Sequence, residues 1–468
     1  MALVNFFPFS QVTIGRLSDE VLLSIFRYYL DSSPRFWPRL VHICSRWRRI
    51  VFASQQSLRL RLFCTHKTPV LKTLDCWPAL PIVVHYGGFP NLDPPAPEDE
   101  GNIMAALKQS HRVSSIRLTV TRSLLEKLSA IERPFSELEV LVLVSASDYG
   151  CPTLPSAFRW GTRLRTLHLT RIAIPAPLQP LSPSTGLVDL QLDETPGFSP
   201  DEFVNALSGM TQLRSLSLHI PYTPNFHRLT PGSVGRVVFP VLMRLKFRGS
   251  SRYLEDLVAR IDGPRLEDIE VTFLDSNNFT FDRNLSQLSD FIDQIEIHKS
   301  YRRAHILSSE SAISISLTQP GAATSLKLEA LCGSLGVQLT SIARICTHLS
   351  AFLFNVEDLR ISTTRSPIWT DTFDNRLWLG PINSFTGVKW FHLDGDDSTN
   401  ILWAFQPLDQ RRETVLPALH KLYVPGLRHA PLTESVMSFI TSRWISGHPI
   451  AVGYERLSEL RGIGTYTQ

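Results

Sequence analysis

One pattern, apolar-x-x-apolar-x-apolar, returns along most of this 468-residue chain. It reads Val113-x-x-Ile116-x-Leu118, then Leu138-x-x-Leu141-x-Leu143, with further copies beginning at Leu164, Leu187, Leu213, Leu242, Leu266 and Ile292. From the first copy to the eighth the steps are 25, 26, 23, 26, 29, 24 and 26 residues. The last two apolar positions of a copy are two apart, so they face one side of a short strand, and the first lies on the turn leading into it. One such unit cannot bury its own apolar face. Stacked units at a near-constant step can, beneath a continuous parallel sheet.

The period resembles that of a leucine-rich repeat, which implies an α/β solenoid with a parallel sheet. The Asn or Cys expected eight residues after the first Leu is absent; Ala146, Ile172, Thr195 and Pro221 stand there. The expectation is therefore an irregular solenoid with long, Pro-rich turns. Residues 199–210, Ser-Pro-Asp-Glu-Phe-Val-Asn-Ala-Leu-Ser-Gly-Met, read as a return helix with Ser199 as N-cap, Pro200 at N1 and Phe203, Ala206 and Leu207 inward. Past a weak copy ending in Ile315-x-Leu317, the spacing widens to 44, 32 and 31 residues, with copies at Val356, Val388 and Leu419. The first wide gap carries a mostly helical pattern, and 432–447 reads as a C-terminal capping helix. Residues 87–102 have no periodicity and four Pro, and read as a linker or exposed loop. The expected division is a helical domain over 14–62, a connecting segment over 63–110, a solenoid over 111–430 and a cap over 431–468.

The N-terminus is different. Over 17–31, Ser18 is a natural N-cap, Asp19 and Glu20 favour the first turn, and Val21, Leu22, Ile25, Phe26 and Tyr29 form an apolar face. Pro34 ends that helix. Over 37–54, Leu40, Cys44, Trp47 and Val51 fall at i, i+4, i+7 and i+11, widened by Val41 and Ile50, which predicts a second helix. About fifty residues bury too little to stand alone, so some of this surface meets another element or another protein.

These two stretches resemble the F-box motif, whose pattern is Leu-Pro-x-Glu, a Leu and an Ile-Phe one turn apart, then Val-Cys-Arg-x-Trp. Leu17, Glu20, Leu22, Ile25 and Phe26 match the first half; Leu40, Val41, Cys44, Arg46 and Trp47 match the second. Residues 51–84 are similar to the large F-box families of mushroom-forming fungi. The chain departs from the motif at Ser18, where the family has Pro; Ser still caps the helix. The resemblance implies docking on the Skp1 adaptor of a cullin–RING ubiquitin ligase through Leu17, Ser18, Val21, Leu22, Ile25, Phe26, Leu40 and Trp47, some of which also fill the motif's own core. It implies a substrate-recognition subunit, with an unknown target protein held by the repeats. The alternative is a protein-binding repeat scaffold outside any ligase, its N-terminal helices only a cap.

No spacing points to catalysis. P-loop, dinucleotide and nucleophile-elbow motifs are absent, and the 14 His and six Cys show no metal spacing. Neither an enzyme nor a cofactor is expected. Apolar residues at 43% and charged residues at 19% suit an ordered protein, and a net charge of +4 is too small to argue for nucleic acid or a membrane surface. With no apolar run of spanning length, no signal-peptide pattern and Cys set mostly in apolar runs, the expectation is a cytoplasmic or nuclear protein with buried, reduced thiols. Alternation puts the residues between the buried strand positions on the solenoid's outward face. The rows are Thr166, His168 and Thr170; Asp189, Gln191 and Asp193; Ser215, Ser217 and His219; Arg244, Lys246 and Arg248; Asp268, Glu270 and Thr272; then Trp390, His392 and Asp394, with Lys421 and Tyr423. The candidate target-binding residues are His168, Gln191, His219, Arg244, Lys246 and Arg248, with Trp390 and Tyr423 as aromatic anchors. The competing expectation is that neighbouring opposite charges simply satisfy each other across strands. The run Asp394-Gly-Asp-Asp397 lacks the remaining ligands of a cation loop and reads as an acidic turn.

Overall fold

The computed structural model describes residues 14–65, 68, 70–77, 79–86, 96–131, 133–146, 150–155, 161–175, 185–196, 198–221, 236–274, 285–295, 301–321, 324–364, 375–394, 398–405, 415–424 and 434–453. The chain is mixed α/β, with helices at its N-terminus and a mostly parallel sheet. It forms two compact units, Met1–Asp148 with Pro155–Leu164, and Tyr149–Leu154 with Arg165–Gln468.

In the first unit, helix α1 (Asp19–Ser32) is capped by Ser18, whose hydroxyl accepts from Val21 N–H, with Asp19 and Glu20 in its first turn. The expected second helix is two: α2 (Trp37–Val41) and α3 (Ser45–Ala53), broken where Cys44 becomes extended and its sulfur accepts from Trp47 N–H. Cys44 is therefore exposed and drops out of the apolar stripe. Leu22, Phe26, Leu30, Trp37, Leu40, Val41, Ile50 and Val51 are buried. The indole of Trp37 donates to Arg61 O at 2.8 Å and packs edge-on against Trp77, centroids 4.9 Å apart.

Four parallel strands follow: β1 (Leu62–Cys64), β2 (Ile82–His85), β3 (Val113–Val120) and β4 (Val140–Ser145), paired in that order. Helices α4 (Val70–Cys76), α5 (Pro97–Leu107) and α6 (Arg122–Ser129) make the crossovers. Two of these strands precede the first repeat copy. The stretch expected as a linker is helical from Pro97, which sits at N1, because Ile103, Ala106 and Leu107 bury one face; residues 87–95 lie outside the described residues.

The second unit carries β5 (Thr166–Thr170), β6 (Asp189–Asp193), β7 (Ser215–His219), β8 (Val237–Val238), β9 (Arg244–Gly249), β10 (Ile261–Asp262) and β11 (Asp268–Phe273). The later strands are β12 (Arg303–Ser308), β13 (Ala312–Thr318), β14 (Ser325–Leu331), β15 (Asp358–Thr363), β16 (Trp390–Asp394), β17 (Lys421–Tyr423) and β18 (Ala451–Gly453). In space the order is β5-β6-β7-β9-β11-β14-β13-β12-β15-β16-β17-β18, while β8 and β10 form a separate parallel pair. In the early strands every second residue is buried, as the repeat requires: Leu167 and Leu169, Leu190 and Leu192, Leu216 and Leu218, Leu245 and Phe247. Helix α7 (Pro200–Leu207) returns the chain as expected, with a full capping box between Ser199 and Glu202; Phe203, Val204 and Leu207 are buried and Ala206 half-buried. Helix α8 (Ser251–Val258) follows β9 in the same way.

The regular repeat then breaks. At the eighth copy Ile292 lies in the last turn of α9 (Ser286–Asp293) and Ile295 follows it outside helix and strand; 296–300, which hold the rest of that copy, lie outside the described residues. The weak copy at 312–317 is a strand, but β13 runs antiparallel to both neighbours. The chain passes from β11 to β12, leaving room for two strands, and folds back through β13 so that β14 pairs with β11. The sheet is thus mostly, not wholly, parallel. The helical pattern after it is α10 (Leu335–His348) and α11 (Ser350–Leu353), joined by the short α12 (Leu379–Ile382) and the expected C-terminal helix, α13 (Glu434–Ile445). Beyond α13, β18 adds a strand that no repeat copy marked. Among the described residues no helix is long and apolar enough to cross a membrane.

Candidate functional site

Helix α1 has two apolar lines. Leu22, Phe26 and Leu30 point inward, with Phe26 fully buried and its ring 4.7 Å from that of the half-buried Trp47. Val21 and Ile25, one turn apart, are 45% and 46% exposed. Arg46 holds the start of the helix, donating to Asp19 Oδ1 at 2.7 and 2.9 Å and to the carbonyl of Gly15 at 2.8 Å. Of the eight residues implied as adaptor contacts, Val21, Ile25 and the capping Ser18 are exposed, Leu17 and Trp47 are half-buried, and Leu22, Phe26 and Leu40 are buried in the core. Tyr28 and Ile43 are exposed as well, though the motif did not single them out.

The second candidate surface is the polar side of the sheet in the second unit. Strand register lines its outward side chains into rows. The middle row runs His168, Gln191, Ser217, Lys246, Glu270, Lys327, Ser316, His305, Arg360, His392, Tyr423 and Gly453. All eight expected target-binding residues point to this side, but they form two groups. His168, Gln191, His219, Arg244, Lys246 and Arg248 stand on β5, β6, β7 and β9; Trp390 and Tyr423 stand on β16 and β17. Five strands lie between β9 and β16, roughly 29 Å at about 4.8 Å per strand.

Most charges on this side are matched across strands. His168 Nε2 lies 2.8 Å from Asp189 Oδ2, and His219 Nδ1 lies 2.6 Å from Asp193 Oδ1. Glu270 sits between Lys246 at 2.9 Å and Lys327 at 3.5 Å. Arg303 and His392 both approach Asp358, at 3.6 and 3.2 Å, and Arg360 pairs with Asp394; residues 395–397 of that acidic turn lie outside the described residues. Burial alone would raise the Asp189 carboxyl, yet hydrogen bonds and charge from His168, with help from Ser215 and Arg244, hold it below its ordinary range. Glu270 is lowered in the same sense, burial being outweighed by its two lysines. Burial, then the nearby Arg360, lowers His305. Arg244 and Arg248 are exceptions: both are exposed and neither has an ion-pair partner among the described residues.

At the far group Trp390 is 41% exposed. The Tyr423 ring stacks on His392, centroids 4.2 Å apart and 5° from parallel, with Lys421 Nζ 4.5 Å from its centroid. Gly453 makes room for it: a Cβ there would lie 2.8 Å from a Tyr423 ring carbon. Neither the row partners Arg303, His305, Lys327, Asp358 and Arg360 nor this stack were picked out from the sequence. Their signal was present as alternation in Arg303-x-His305 and Asp358-x-Arg360-x-Ser362.

No protein-family model matches this chain. A search of curated proteins finds no significant match either. The chemistry of both surfaces must therefore be read from their own residues. Among the described residues, no three His, Cys, Asp or Glu side chains gather as metal ligands do. Cys64, Cys332 and Cys346 are buried, whereas Cys44 and Cys76 are exposed and Cys151 half-buried, so the expectation of mostly buried thiols holds for three of the six. Burial pushes the Cys64 and Cys332 thiols up to about 11, away from the thiolate state that nucleophilic chemistry uses. What these surfaces offer is contact: an apolar pair on a capped helix, a charge-matched polar sheet and an aromatic group at one end of it.

Proposed function

We propose that this protein is a substrate-recognition subunit of a Skp1–cullin–F-box ubiquitin ligase. The N-terminal helices dock on Skp1, and the repeat sheet holds a target protein. The reading rests on the F-box-like residues of 17–47 together with one observation: Val21 and Ile25 lie exposed, one turn apart, on a helix whose neighbouring apolar line, Leu22 and Phe26, is buried in the core. Exposed aliphatic side chains at helical spacing fit a helix-in-groove contact. The chain itself does no chemistry in this reading. It raises the effective concentration of the target's lysines near a ubiquitin-conjugating enzyme. Trp390 and Tyr423 are the aromatic anchors for the target, because rigid aromatics contribute contact area at low entropic cost.

The test is binding of the purified full chain to purified Skp1 by calorimetry. Val21→Asp/Ile25→Asp is the informative variant, since both side chains are exposed and the fold does not depend on them. Wild type should bind, and the variant should bind at least about 30-fold more weakly, the scale of losing a hot spot. A folded wild type that does not bind, or a variant that binds equally well, overturns the reading. A second reading is a repeat scaffold with N-terminal helices that only cap it. It draws support from the deep burial of Leu22, Phe26 and Trp37 and from the Trp37 bond to Arg61 O, and it expects no Skp1 binding at all.

A further inference from the structure

Beside the N-terminal ends of β7, β9 and β11, off the polar rows, lies a half-open pocket of about 530 Å³. Three residues of its wall are neighbours through the backbone. Met243 N–H donates to Arg214 O at 2.9 Å, and Glu267 N–H donates to Met243 O at 2.9 Å. Their backbones therefore stand about 4.8 Å apart at the starts of successive strands. The rest of the wall comes from the turns before β9 and β11, which supply Val241, Pro264 and Arg265. The second turn is closed by Leu266 N–H on Gly263 O at 3.1 Å, and a Cβ at 263 would lie 2.7 Å from Leu266 Cδ1, so a larger residue there would have to displace that side chain.

The lining has a definite chemistry. Val241, Met243 and Pro264 give an aliphatic floor, with Met243 able to adjust to what it meets. Arg214 and Arg265 are exposed, and neither has an ion-pair partner among the described residues, although Glu267 lines the same pocket. Two guanidiniums against one carboxylate leave an unmatched positive charge over an apolar surface. On the polar rows, by contrast, cross-strand pairs absorb most charges. A planar guanidinium fork favours carboxylate geometry, and the volume suits a few side chains. Because the pocket is half-open, a chain can lie through it, whereas a small molecule would keep much of its surface in water.

We propose that this pocket binds an acidic peptide segment in which a carboxylate neighbours an aliphatic side chain. The carboxylate lies on Arg214 and Arg265, the aliphatic group on Val241, Met243 and Pro264, and Glu267 accepts a backbone N–H of the peptide. The site belongs wholly to the second unit and stands independently of any adaptor bound by α1.

The test uses the immobilised full chain to select from phage-displayed random heptapeptides at low salt. Enriched sequences should place Asp or Glu beside Leu, Ile, Val or Met. The best one, made as a fluorescent peptide, should bind about tenfold or more weakly to Arg214→Ala/Arg265→Ala. A version with its acidic residues changed to Lys should lose binding to wild type by the same margin. Both arginines are exposed, so the double variant keeps its fold, checked by circular dichroism. Arg344→Ala, at an exposed arginine of α10 in the same unit, serves as the control and should bind like wild type. Failure to enrich any sequence, enrichment of sequences without acidic residues, or binding indifferent to the double substitution overturns the proposal. Loss of Skp1 binding in Val21→Asp/Ile25→Asp leaves it untouched.

Discussion

Glu255 on α8 decides the start of the next helix. Its Oε1 and Oε2 accept from the N–H groups of Leu288 and Gln287, both at 2.9 Å, in the first turn of α9. The residue at the N-cap of α9 is Leu285, whose side chain cannot cap. Glu255 is therefore a cap supplied from another helix. Changing it to Ala leaves two N–H groups without their acceptors. A lost cap costs about 0.5–2 kcal/mol, and the lost charge at a helix N-terminus adds about 0.3–1 kcal/mol, so Glu255→Ala should weaken α9 locally by about 1–3 kcal/mol. Hydrogen exchange read by mass spectrometry on peptides covering 286–293 should then speed up by about tenfold or more, at about 1.4 kcal/mol per tenfold, with peptides from β5–β7 unchanged. Glu255→Gln should lie between, keeping one acceptor but turning an NH2 toward a donor. There is also a pH signature. Burial pushes the Glu255 carboxyl above its ordinary range, outweighing the two N–H donors that pull it down. The folded state thus holds this proton more tightly than the unfolded chain does. The stability that this proton contributes is complete below the ordinary value of 4.5 and is lost as pH rises through the folded value. The advantage of wild type over Glu255→Ala should shrink as pH is raised across that window, opposite to an exposed capping carboxylate. Unchanged exchange in α9, or an advantage that grows with pH, refutes this account.

Three further outcomes follow from particular contacts. Phe26→Ala should destabilise the first unit by about 3–5 kcal/mol, while Ile25→Asp, next in sequence but half exposed, should stay within about 0.5 kcal/mol; urea denaturation followed by Trp fluorescence separates the two. Gly387→Ala would bring its Cβ into collision with the carbonyl oxygen of Phe354, a backbone atom that cannot rotate away, and should cost about 1–3 kcal/mol, seen as a lower Tm by calorimetry. Glu270 has a lowered carboxyl pKa, so its contribution is present above the ordinary value of 4.5 and is lost as pH falls through the folded value. Glu270→Gln should therefore narrow its stability gap to wild type in acid, a gap of about 1 kcal/mol or less for so accessible a pair, and equal gaps at pH 3 and pH 7 would contradict it.

The apolar period by itself determined a great deal. A two-residue alternation on a step near 25 residues leaves few ways to bury Leu167, Leu190, Leu216 and Leu245 other than parallel strands in register, and that is where they lie. Ser18 and Ser199 announced their helices, because an N-cap hydroxyl acts over three residues and needs no distant partner. What the tertiary structure decided depended on distant partners. Ile292 has the spacing of a repeat's leading turn position, but Glu255 caps its segment as a helix. Ile313, Ile315 and Leu317 alternate like any repeat strand, and alternation is the same read in either direction, so only pairing with β12 and β14 shows that β13 is reversed. The division of α1 into a buried line at Leu22 and Phe26 and a free line at Val21 and Ile25 was equally hidden. Adjacent apolar residues on a helix carry no mark of which side the rest of the protein will cover.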